Sequence, residues 1–133
     1  MGVGGVMEVA RFEEADEVRA IGLALRGEGG AHIYQLSCGR MTELAFGERA
    51  VCHRLTLDDC GLRVLMGMLG EGRSAADALA RFFESGGAVL ADLLDICDRA
   101  GIAWTFCSMG ERAGTMARAA VDSDGGGAPS LAP

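Results

Sequence analysis

Between positions 13 and 26 the apolar residues Ala15, Val18, Ile21 and Leu25 recur three to four residues apart, behind a run of acids. That spacing predicts an amphipathic helix with negative charge in its first turn. Gly27, Gly29 and Gly30 end it. A short strand over 6–12 precedes it. AHIYQLS, residues 31–37, follows with the β-branched and aromatic content of a strand, and Cys38 stands at its end. Residues 39–55, GRMTELAFGERAVCHRL, support two readings: a pair of strands around a Gly-Glu turn, or a short helix and a loop.

The second half is more regular. Thr56 and Asp59 have capping-box spacing ahead of Leu62, Leu65, Met66 and Leu69, with Gly70 as the stop. Ser74 and Asp77 repeat the start signal before Ala78, Leu79, Phe82 and Phe83. Val89, Leu90, Leu93, Leu94 and Cys97 line one face of a third helix, closed by Gly101. IAWTFC, from Ile102 to Cys107, then reads as a strand. Helices alternating with single strands predict a small three-layer α/β fold, a mainly parallel sheet flanked by helices. Residues 1–121 form one domain in this reading, and 122–133 a disordered Gly- and Pro-containing tail. In parallel sheets ligands bind beyond the carboxyl ends of the strands, where both Cys38 and Cys107 fall.

Composition narrows the function classes. The chain has 133 residues, half of them hydrophobic, enough for a packed core without staples. All twelve cations are Arg and Asn is absent, which fits a GC-rich bacterial coding sequence. A net charge of −7 with scattered Arg argues against nucleic acid as a partner. No apolar run reaches membrane-span length, and acids arrive too early for a secretory signal. The expected location is the cytoplasm, with Cys38, Cys52, Cys60, Cys97 and Cys107 reduced. There is no CxxC and no zinc spacing. Cys52 and His53, adjacent on a strand, would point to opposite faces, and no fourth ligand stands at a usual spacing, so no metal is expected; no other cofactor is expected either. Cys60 and Cys97 read as packing residues on helix faces. GxSxG is absent, and a chain without Lys has no Walker lysine.

AVLADLLDICDRAGIAWTFCSMGERAG, residues 88–114, resembles the DsrE/DsrF-like family of sulfur-relay proteins. The shared features are a helix ending in Gly, a short apolar strand ending in Cys, and a small-Met pair, here Ser108 and Met109. The resemblance implies a three-layer α/β fold and a homo-oligomer. It also implies a persulfide-carrying thiol at Cys107 and a sulfur donor or acceptor protein as partner. A thiolate there needs solvent and a helix N-terminus beginning near Ser108 to Glu111. The other reading is a small buried hydrophobe. Arg112 is placed to hold an anion. Cys38, Gly39 and Arg40 form a second candidate binding group, since Gly admits close backbone approach and Arg grips oxyanions.

A rival resemblance uses the same helices. RLTLDDCGLRVLMGMLGEGRSAADALARF with VLADLLDICDRAGI is similar to PqqD-like and other winged-helix modules. That resemblance implies an α+β winged-helix-like fold with a hairpin over 39–55, and a non-enzymatic peptide-binding or adaptor role.

Overall fold

A computed structural model describes residues 5–70, 74–84, 88–110 and 114–119, with 110 and 114–119 described by their backbone alone. The elements run β1 (Met7–Glu14), β2 (Glu17–Leu25), β3 (Ala31–Gly39), α1 (Arg40–Phe46), β4 (Ala50–Leu57), α2 (Asp59–Gly70), α3 (Ala75–Phe82), α4 (Leu90–Ala100), β5 (Thr105–Gly110) and β6 (Gly114–Ala119). The strands make one six-stranded sheet in sequence order, and every pairing is antiparallel.

The expected parallel sheet, flanked on both sides by helices, is therefore corrected to an antiparallel meander. The decisive segment is 13–26, which forms a hairpin instead of a helix. Glu14 pairs with Glu17, and Ala15, at φ 51°, occupies the tight turn between them. The apolar positions at 15, 18, 21 and 25 mimic a helical stripe. Val18 and Ile21 nevertheless favour extended chain, and Gly22 in mid-helix would itself destabilise a helix by about 1 kcal/mol. Once β1 and β2 pair, each later strand adds antiparallel to its predecessor, and no crossover connection remains.

The undecided stretch 39–55 resolves into α1 and β4, so the hairpin required by the winged-helix reading does not form. Gly39, at φ 139°, lies where an added Cβ would meet the Asp16 carbonyl oxygen at 2.0 Å. A side chain there would push the β1–β2 turn away from α1. The three later helices sit where the periodicity puts them. Ser74 accepts from the Asp77 amide at 3.1 Å, and Gly101 closes α4 at φ 73°. The Thr56 cap is displaced: Thr56 lies in β4, and Asp58 Oδ1 accepts from the Gly61 amide at 2.7 Å.

All the described packing of helices on the sheet is on one face. Ile21, Leu23, Ile33, Leu55 and Leu57 point inward and meet Leu65, Leu79, Phe83, Leu90, Leu93 and Cys97. Trp104 closes the end of this core, and its Nε1 donates to Asp98 at 2.9 Å. Cys97 is a packing residue, its thiol pushed up to about 11 by burial and the neighbouring Asp98. Cys60, expected to face the core, is exposed on α2. The 122–133 tail and the ends of the predicted domain lie outside the described residues.

Candidate functional site on the open face of the sheet

Strand side chains alternate between faces, and the registers fix which residues share the face away from the helices. Along it run Glu8, Arg11 and Glu13 of β1, opposite Gly22, Ala20 and Val18 of β2. Tyr34, Leu36 and Cys38 follow on β3, and Ala50, Cys52 and Arg54 on β4. Cys107 and Met109 of β5 complete the row. The middle of this face is apolar and built of small residues. Leu36 is 45 % exposed and Val6 57 %. At Gly22 an added Cβ would meet Val6 Cγ1 at 2.5 Å, so the glycine keeps the N-terminal chain flat against β2. A shallow depression of about 350 Å³ opens there, its lining including Val6, Ala20, Tyr34, Leu36 and Cys52.

Three of the sequence-predicted positions fall on this face. Cys38 is exposed at the end of β3, between Val18 and Ala50. Cys107 is 5 % exposed, paired with Arg54, and its strand continues to Gly110, so no helix begins at its sulfur. Met109 is half-buried opposite Cys52. Cys38 and Cys107 are not brought together. Four residues of β4 and two strand spacings separate them, about 13 Å along the sheet and about 10 Å across. The neighbour of Cys107 is Cys52, diagonal to it across β4 and β5. Burial pushes the Cys52 thiol up, Arg54 counteracts this, and Cys107 adds to it. Diagonal Cα atoms stand about 7–8 Å apart, beyond the usual disulfide range.

The remaining predicted residues lie elsewhere. Gly39 and Arg40 form the β3–α1 junction, where Gly39 makes room for the Asp16 backbone, and Arg40 Nα donates to the Asp16 carbonyl at 3.3 Å. Ser108 points to the opposite face of β5, in register with His53. Arg112 is outside the described residues. Cys52 and His53 do occupy opposite faces, and among the described residues no three His, Cys, Asp or Glu side chains converge on a metal-sized point. No described helix is long and apolar enough to cross a membrane.

Charge on the open face is sparse but ordered. On β1, Arg11 bridges Glu8 at 3.0 Å and Glu13 at 3.4 Å, leaving two acids against one base. Arg54 is the cation of β4, and its buried Nε has no hydrogen-bond partner among the described residues. His32 is half-buried beside Tyr34, its Nδ1 2.8 Å from Thr56 Oγ1. Burial, then Arg54 and Arg26, hold that imidazole below its ordinary range. This combination was not legible as a site, because alternation over β2 shows only once 13–26 is known to be strand. No protein-family model, curated protein or solved structure matches the chain.

Proposed function

We propose that the protein is a non-catalytic adaptor that works as a face-to-face homodimer, two sheets packed through their open faces. One observation carries this reading: the helix-free face holds a contiguous apolar, small-residue surface where an antiparallel sheet ordinarily presents polar side chains to water. Small residues let a second sheet approach to the usual spacing of about 10 Å. A second copy fits the charges as well. A two-fold axis near β3 lays the acid-rich β1 of one copy over the β4–β5 half of the other. Arg54, the cation that β4 sets on this face, there lies on the side that faces carboxylates.

Sedimentation velocity across a wide concentration range tests the proposal. A dimer that dissociates in Leu36→Glu, with the circular dichroism spectrum retained, supports it. A wild-type chain that stays monomeric at high concentration refutes it.

The sulfur-relay reading stands second, favoured by three cysteines sharing one open face. Its entry point would be Cys38, the exposed member, rather than Cys107.

A further inference from the structure

The helix-covered face of the sheet is not aliphatic throughout. Toward the end where β3 leaves for α1, its inward positions become Gln35 and Ser37, His53 follows on β4, and Ser108 on β5. Gln35, His53 and Ser108 are directly opposite one another across three strands. Thr42 joins them from α1. Thr42 is 3 % exposed, Ser37 7 %, Gln35 8 % and His53 8 %. Over these residues α2 and α3 give way to a cleft of about 470 Å³, walled by α1 and the start of α4. That volume is in the range of small-molecule sites.

Buried polar groups are costly unless they find partners, so each asks for an explanation. Two have one within the fold. Gln35 Oε1 accepts from the Leu90 amide at 2.8 Å, fixing the first turn of α4. Thr42 Oγ1 donates to Glu17, whose carboxylate also accepts the Met41 amide and so caps α1. Among the described residues Ser37 receives only a long contact from Gln35 Nε2, at 3.4 Å. His53 is different. Its ring contacts Phe46, 5.2 Å away, and Phe106, stacked at 5.5 Å and 21°. Among the described residues, no hydrogen bond reaches either ring nitrogen, although the side chain is more than nine-tenths buried and lines the cleft.

We propose that this cleft binds a small, uncharged heteroaromatic molecule whose amide or lactam edge hydrogen-bonds His53 and Ser37 while its ring packs against Phe46 and Phe106. A neutral imidazole offers one donor and one acceptor, which such an edge matches. Burial keeps His53 toward that neutral form. The charged groups in the lining are already engaged: Glu17 caps α1, and the Arg19 guanidinium lies over the Phe12 ring at 5.5 Å. The two are opposite in sign, so the lining offers no net charge to select an anionic or cationic ligand. Phe46, 51 % exposed, forms the lip. The site lies on the opposite side of the sheet from the docking face and does not rest on it.

Nicotinamide, uracil and hypoxanthine serve as probes, with nicotinate as the charged control, in an NMR titration of the isotope-labelled chain. The expected result is a saturable shift of the His53 ring protons and the Ser37 amide by at least one neutral probe. His53→Leu should weaken that binding by roughly tenfold or more, the scale of a lost buried hydrogen bond. Phe46→Ala, at an exposed position that does not threaten folding, should weaken it severalfold. Acidification that protonates His53 should also weaken it. No saturable shift from any of the three at millimolar concentration overturns the proposal. So does binding of nicotinate as tight as nicotinamide, or binding unaffected by Phe46→Ala.

Discussion

Leu36→Ala is the most direct perturbation of the proposed dimer, and its size can be worked from the fold. Leu36 stands on β3, in the middle of the open face, with 45 % of its surface still in water. Burying a whole leucine side chain stabilises by about 1.5–3 kcal/mol, so covering that remaining fraction contributes about 1 kcal/mol per copy. A two-fold interface counts the residue twice. Truncation should therefore weaken the dimer by about 2 kcal/mol, roughly 30-fold in the dissociation constant. Sedimentation equilibrium on both proteins measures it. Leu44→Ala is the matching control. Leu44 is on α1 and is more exposed, at 74 %, so association driven by generic apolar stickiness would respond to it more strongly. Equal weakening by the two substitutions, or none from Leu36→Ala, refutes the face-to-face reasoning.

Other parts of the structure make further commitments. Gly39→Ala should destabilise by several kcal/mol, because it combines a positive φ with a Cβ against the Asp16 carbonyl; urea denaturation checks it. Phe83→Ala, at a fully buried position, should cost about 3–5 kcal/mol in the same assay. His32 and His53 both have depressed pKa values from burial, so the unfolded chain binds protons that the folded one refuses. The contribution of these two groups should be constant above the ordinary value of 6.5 and fall as pH drops below it; His53→Leu should flatten that slope, and an unchanged slope would contradict the burial argument. Exposed Cys38 and Cys60 should react with a thiol reagent before Cys107, and Cys97 last. Intact mass after treatment with a persulfide donor should show added sulfur lost in Cys38→Ser if a relay operates on this face.

The helical half was legible because its signals are local. Ser74 with Asp77, the apolar stripe of α4 and Gly101 each act within a few residues, and each appears where the pattern puts it. The 13–26 segment misled because its apolar residues serve both faces of a sheet. Ile21 and Leu23 go to the core, while Val18 and Ala20 go to the open side. A strand with two apolar faces has no clean alternation, and its residues at 15, 18, 21 and 25 fall by coincidence on a helical spacing. That single misreading reversed the topology. With it went the parallel sheet whose carboxyl edge was to hold both Cys38 and Cys107, and β5 in fact runs past Cys107 to Gly110. The polar floor of the cleft was hidden for another reason. Gln35, His53 and Ser108 are eighteen or more residues apart in sequence and meet only through register.

The two surfaces of the sheet are joined at one place in the fold, the contact between the β1–β2 turn and α1. Glu17 leaves that turn to accept the Met41 and Thr42 amides, Arg49 ties Asp16 to Glu43, and Gly39 admits the Asp16 backbone. The exposed Arg49 pairs contribute little on their own. The Glu17 cap is half-buried and bonds charged carboxylate to backbone, the stronger class of hydrogen bond. Since α1 has only seven residues, it cannot hold its shape by itself and depends on this cap. Phe46, at the far end of α1, is the lip of the cleft. The hairpin that carries the acids of the docking face thus also sets the position of the cleft wall. Glu17→Gln keeps the shape of the cap but removes its charge, so it should loosen α1 and weaken probe binding while leaving Leu36 and the dimer constant untouched. A loss of dimerisation in Glu17→Gln would mean instead that the hairpin as a whole had shifted.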